Sequence, residues 1–161
     1  MTIEKGATIP SVTLKTLQDG EITDVNIADY VKGKNVVIFG VPGAYTPVCT
    51  VNHLPGFIER AEELKQSGID EVICVAANDP FVVNHWAKEC GAPGKVTVFP
   101  DGNLDFTQAL GMELDASALG LGPRSQRYSM IVKDGVVESV EVEDEATTVS
   151  VSGAEACLSK L

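Results

Sequence analysis

The stretch Asn35-Val36-Val37-Ile38-Phe39-Gly40-Val41, running into Pro42-Gly43-Ala44-Tyr45-Thr46-Pro47-Val48-Cys49, decides the fold. Its first seven residues are apolar almost throughout, without polar alternation, and so read as a strand buried on both faces. The Pro- and Gly-rich segment after it reads as a tight loop. Beyond Cys49, Phe57, Ala61 and Leu64 recur at helical spacing with Glu59, Arg60, Glu62 and Glu63 between them, which predicts a helix over 50–68. Pro55 lies inside that helix and removes a backbone hydrogen bond, so a bend or bulge is expected in its first part. A strand, a loop and a helix therefore present a thiol at the helix's first turn. Unpaired backbone N–H groups and the positive end of the helix dipole favour its thiolate.

The flanking sequence supplies the rest of a layered α/β domain. Before the strand, an extended segment at 9–14 and a returning segment at 22–25 flank the turn signal Asp19-Gly20. Asn26 is placed to cap a short helix over 27–31, ended by Gly33. After the helix, 72–77 forms a second wholly apolar strand. Asn78-Asp79-Pro80 opens a helix that ends at Gly91, and 96–99 is a third strand. A turn at 100–102, a short helix over 105–110 and a long loop over 115–125 follow. Asp134-Gly135 then joins two strands, 128–133 and 136–142, as a hairpin. The chain closes with a helix over 149–161, for which Ser152 is a candidate cap. Parallel strands first and an antiparallel pair later imply one domain, residues 1–161, with a central mixed β-sheet flanked by helices, an order that suits a thioredoxin-like architecture.

Composition narrows the function. The 161 residues carry a net charge of −11, which opposes binding to nucleic acid or to anionic lipid and keeps the chain soluble. Residues 1–6 have no apolar core, and no run approaches the roughly 20 apolar residues of a membrane span. The expectation is a cytoplasmic protein with neither a nucleic-acid nor a membrane partner. Four cysteines at 49, 74, 90 and 157 form no CxxC pair, which argues against a disulfide scaffold or a zinc cluster and for thiols kept reduced.

The segment Pro42-Gly43-Ala44-Tyr45-Thr46-Pro47-Val48-Cys49, continued by His53-Leu54-Pro55-Gly56-Phe57, resembles the peroxiredoxins. Pro42, Thr46 and Cys49 match the shared motif of a proline, three residues, a threonine, two residues and a cysteine. The His-Leu-Pro-Gly-Phe continuation, with 75–82 and Arg124-Ser125-Gln126-Arg127-Tyr128-Ser129-Met130, is similar to the type II, or peroxiredoxin-5-like, branch. The resemblance implies a thioredoxin-like fold and a thiol peroxidase acting on hydrogen peroxide and organic hydroperoxides without a cofactor. It also implies a homodimer packed through loops near the site. Cys49 matches the attacking cysteine, Thr46 and Pro42 its pocket, and Arg127 the arginine that completes it. Tyr45 departs from the branch, which usually carries Phe, and its hydroxyl requires water or a partner.

Read for chemistry, Cys49 is the nucleophile that becomes a sulfenic acid. The Thr46 hydroxyl is expected to bond the thiolate and a peroxide oxygen; a helix cap is its alternative role. Pro42 shapes the loop, and backbone N–H groups near Gly43 and Cys49 are candidate peroxide donors. Arg127 is expected to stabilise the thiolate and the leaving oxygen, with Arg124 its competitor. His53, four residues after Cys49, would share its helix face as a pocket support. A cysteine protease or metal site is the alternative, but His85 is the only other histidine. Cys74 is the candidate internal resolving thiol. The resolving cysteine of some animal members would fall near Val151 and is absent, so glutathione, glutaredoxin or thioredoxin is the expected reductant. Two rival readings are a redox sensor that reports Cys49 oxidation to a partner and a thioredoxin-like binding module without redox activity.

Overall fold

A computed structural model describes residues 2–161. Its centre is a five-stranded sheet in the order β5-β4-β3-β8-β9, built from β3 (Asn35–Val41), β4 (Glu71–Ala76), β5 (Thr97–Pro100), β8 (Tyr128–Lys133) and β9 (Val136–Val142). β3, β4 and β5 run parallel, and β8 and β9 are antiparallel additions. The apolar run that predicted a doubly buried strand is β3, with Val36, Val37, Ile38, Phe39 and Val41 all fully buried.

Strand alternation sends successive side chains to opposite faces. Val37, Phe39, Cys74 and Ile131 point to one layer, where Phe57 and Leu64 of the helical region after Cys49, Val83 and Trp86 of α4 (Pro80–Glu89) and Cys157 of α6 (Ala154–Leu158) pack. Val36, Ile38, Ile73, Val75 and Met130 point to the other. There α1 (Ile27–Val31), α5 (Asp105–Leu110) and Leu14 of the β1–β2 hairpin (Thr13–Gln18 and Glu21–Asn26) cover the sheet. Asn26 caps α1 by accepting the Asp29 N–H, as predicted. The Asp79 carboxylate caps α4 through the N–H groups of Phe81 and Val82, at 2.8 and 3.0 Å. Asp134 and Gly135 both have positive φ, 47° and 79°, the conformation a two-residue hairpin turn requires.

Three expectations need correction. The helix predicted over 50–68 is a π-helical turn, Cys49–His53, followed by α2 (Leu54–Glu59) and α3 (Ala61–Gln66), broken at Arg60. Pro55 sits in the first turn of α2, so the expected bulge takes the form of an extra residue in the turn that carries Cys49. The loop at 115–125 holds a small hairpin, β6 (Glu113–Asp115) with β7 (Pro123–Ser125), around a 3-10 turn at Ser117–Leu119. The closing helix is shorter than predicted, and Ser152 does not cap it: Gly153 occupies the cap position, and the Ser152 N–H and hydroxyl donate to Glu143.

Candidate active site

Cys49 begins the π-helical turn beyond the end of β3, and its sulfur is fully enclosed. β8 runs back beside β3, pairing Tyr128 with Gly40, and this brings Arg127 to the same end of the sheet. The Arg127 Nη2 donates to the Cys49 Sγ at 3.0 Å. Two residues 78 apart in sequence thus form one buried contact. Arg127 is only 2% exposed, so its charge sits in low dielectric, where a single anionic neighbour counts for far more than it would in water.

Two further contacts fix the guanidinium, and a third braces one of its partners. Its Nε donates to the Ala146 carbonyl at 2.8 Å, and Nη1 donates to His53 Nδ1 at 2.8 Å. His53 Nε2 in turn donates to the Ser152 carbonyl at 2.8 Å. This arrangement requires the neutral ring with its proton on Nε2, because Nδ1 must offer a lone pair to Arg127. Burial, followed by the charge of Arg127, brings the His53 pKa down to about 3. Phe39 clamps the ring with Phe57: Phe39 lies 4.7 Å from His53 and stacks on Phe57 at 4.1 Å.

The loop before the cysteine is held by its own contacts, and one of them differs from expectation. The Thr46 hydroxyl does not bond the thiolate; it donates to the Gly43 carbonyl at 2.7 Å. With its single proton committed, the oxygen has only acceptor capacity left. Asn78 accepts the Ala44 N–H at 2.6 Å, so that amide braces the loop. Arg124, the competitor, donates to the carbonyls of Pro42 and Ala77 at 3.4 and 3.3 Å. It supports the loop from behind and packs close against Gly43, where its Nη1 would lie 2.5 Å from any added Cβ. Tyr45 has φ 63°, and its hydroxyl finds the partner it needs in His85 Nδ1. The indole of Trp86 donates to the Thr50 hydroxyl at 3.0 Å and ties α4 to the turn that carries the cysteine.

The remaining cysteines are all free thiols. Cys74 lies in β4 opposite Phe39, and burial, followed by proximity to Cys49, pushes its thiol well above the ordinary range. Burial also raises Cys157, against a weaker hydrogen bond to Ser129 at 3.5 Å. Cys90, at the C-terminal end of α4, is partly exposed, and its thiol is raised by burial and by Glu89. Sequence reasoning missed Glu143, Ser152 and the Ala146 carbonyl, which hold the arginine and the histidine from behind. Two of these contacts are made by backbone oxygens, and no motif announces a carbonyl.

Comparison with known proteins identifies the family and fold. The Redoxin family model matches residues 4–158. Peroxiredoxin-2E-2, chloroplastic, from Oryza sativa subsp. japonica is 44% identical over 148 residues, which are 89% of this chain and 66% of that protein. Peroxiredoxin-2F, mitochondrial, from Arabidopsis thaliana is 45% identical over 135 residues, 84% of this chain and 67% of that one. This chain thus spans about two thirds of the length of both plant relatives. A crystal structure of reduced Prx3 in complex with H2O2 from Vibrio vulnificus superposes with a TM-score of 0.92 at 39% identity, covering 99% of this chain and 96% of that one. The chain belongs to the Redoxin family, among the type II peroxiredoxins, and has their thioredoxin-like fold.

Proposed function

We propose that the chain is a thiol-dependent peroxidase that reduces hydrogen peroxide and organic hydroperoxides at Cys49, and so serves antioxidant defence. The observation that carries the reading is the buried contact of 3.0 Å between Arg127 Nη2 and Cys49 Sγ. A fixed cation beside the sulfur offers a charged donor at the atom that attacks the O–O bond and at the oxygen that leaves it. The sulfur attacks the outer peroxide oxygen, the O–O bond breaks, and the departing oxygen takes a proton to leave as water or an alcohol. Cys49 becomes a sulfenic acid. Arg127 also stabilises the charge developing on the departing oxygen, and its other contacts hold it still while it does so. The Thr46 hydroxyl, already donating to Gly43, accepts the O–H of the bound peroxide.

An external thiol completes the cycle. It displaces water from the sulfenic acid to give a mixed disulfide, and a second thiol releases Cys49. Glutathione, glutaredoxin and thioredoxin all supply such thiols. Cys74 is a poor internal resolver because burial keeps it protonated. The Cys49 sulfur has no exposed surface, so the turn Cys49–His53 must open before a bulky reductant reaches it. A homodimer through the loops beside the site covers the exposed side chains of Tyr45, Val51 and Phe81. Among the described residues no helix is long and apolar enough to cross a membrane; four free thiols fit a reducing compartment, the cytoplasm.

The test is stopped-flow consumption of peroxide with dithiothreitol. Cys49→Ser is expected to abolish it, and equal consumption by the variant and the parent would refute the assignment. Mass spectrometry after one equivalent of peroxide is expected to find the first oxidation on Cys49 and no disulfide to Cys74.

A further inference from the structure

Glu143 follows the last residue of β9 within the run Glu141-Val142-Glu143-Asp144-Glu145, which reads as solvated surface. It is nevertheless only 5% exposed. Its carboxylate gathers one short segment. Oε2 accepts the N–H groups of Ser150, Val151 and Ser152 at 2.8, 3.0 and 2.8 Å and the Ser152 hydroxyl at 2.6 Å, while Oε1 accepts the Ser150 hydroxyl at 2.7 Å. Burial pushes this carboxyl upward, but the hydrogen bonds from Ser152 and Ser150 outweigh it and bring its pKa to about 2.

Drawing 150–152 back to Glu143 closes the stretch 143–152 into a loop, which supplies two carbonyls to the site: Ser152 at its gathered end, and Ala146 within it, which the carboxylate does not itself touch. Ala146 accepts from Arg127 Nε, and Ser152 accepts from His53, whose other nitrogen accepts from Arg127 Nη1. The Glu143 N–H also donates to the Arg127 carbonyl at 2.9 Å. Backbone and side chain of one residue therefore fix both ends of the arginine, the backbone directly and the guanidinium through the segment 146–152. Nothing else in the described structure supplies an ionised acceptor to that segment's N–H groups.

We propose that Glu143 is a positioning residue of the peroxidase site: its carboxylate orders the segment whose carbonyls aim the Arg127 guanidinium at the Cys49 sulfur. The inference rests on the peroxidase reading above only for its activity readout. Without the carboxylate, three backbone N–H groups and two hydroxyls lose their acceptor and the segment has no reason to keep its shape. The two carbonyls then drift, and Arg127 loses its aim while keeping its charge.

The experiment is a mutant cycle, Glu143→Ala and Glu143→Gln in the parent and in an Arg127→Ala background, with circular dichroism to verify folding. The single-turnover rate of peroxide with the reduced protein is expected to fall at least about tenfold in Glu143→Ala, the scale of a lost charged hydrogen-bond acceptor. Glu143→Gln, which keeps the shape and loses the charge, is expected to fall between Glu143→Ala and the parent. In the Arg127→Ala background, Glu143→Ala is expected to change the rate less than about twofold, because the residue it acts through is gone. Side-chain 15N spectra give a readout independent of activity. The Arg127 Nε–H and His53 Nε2–H resonances are expected to shift and exchange faster in Glu143→Ala. An unchanged rate in an active protein, an equal loss in both backgrounds, or unshifted Arg127 and His53 resonances would each overturn the proposal. A parent that consumes no peroxide refutes the peroxidase reading instead, and the resonances then decide the positioning role alone.

Discussion

Acidification provides a direct probe of the buried histidine. His53 must stay neutral to accept from Arg127 while donating to Ser152, and its pKa is lowered from 6.5 to about 3. In the unfolded chain the same imidazole takes up a proton near its ordinary value. The sign follows from proton linkage. Below 6.5 the unfolded state binds a proton that the folded state refuses until about 3, so stability is full above the upper value and is lost as pH falls between the two. At roughly 1.4 kcal/mol per unit, moving from about pH 7 to about pH 5 removes about 2 kcal/mol. Against a typical total of about 5–15 kcal/mol, that loss is easily resolved. The assay is urea denaturation at half-unit steps of pH, comparing the parent with His53→Gln, which can donate to Ser152 but does not titrate. His53→Gln is expected to be less stable at neutral pH and to approach the parent as pH falls. Parallel loss of stability in the two proteins would refute the reasoning, because the slope would then belong to other groups.

Two further perturbations test the frame around the sulfur. Arg127→Lys keeps the charge but cannot reach Cys49, His53 and the Ala146 carbonyl at once, so the single-turnover peroxide rate is expected to fall about 10²- to 10³-fold, as when one preorganised donor is removed; a loss under threefold would mean that charge alone suffices. Gly40→Ala would press a methyl into the ring of Tyr128, where even the farthest of three ring carbons lies at only 2.8 Å. Tyr128 is fully buried and cannot swing away, so denaturation is expected to report a loss of about 1–3 kcal/mol or more.

The sequence discloses the local features well because each rests on a local cause. The Asn26 cap, the Asp79-Pro80 helix start, the Asp134-Gly135 turn and the apolar run of β3 depend on neighbours a few residues away. Pro55 announces a bulge but not its form, since only the packing of Cys49 and His53 into the core decides that the extra residue widens one turn. The hairpin β6–β7 escapes notice because strands of three residues carry no alternation to read. Thr46 shows how an expected bond can go elsewhere: a hydroxyl three residues before the thiol has two acceptors to choose between, and the Gly43 carbonyl, closed into the same loop, wins. Ser152 fails as a cap for the opposite reason, since a buried carboxylate outside the helix accepts its hydroxyl and its N–H and fixes it one residue before the cap position, which Gly153 occupies.

The same contrast separates the inner contacts of the site from its outer supports. Cys49 and His53 come from the π-helical turn and Arg127 from the residue just before β8, and His53 packs against the core residues Phe39 and Phe57. Their outer supports, the carbonyls of Ala146 and Ser152, come from an irregular segment with no strand or helix of its own. Such a segment holds its shape only if its N–H groups find a strong acceptor, and the ionised Glu143 supplies one. Were the carbonyls carried on a central strand, the ladder would take one lone pair of each and aim them within the sheet rather than at a guanidinium. The irregular segment leaves two carbonyls free to point inward, one on Arg127 and one on His53, and these hold the arginine against the Cys49 sulfur.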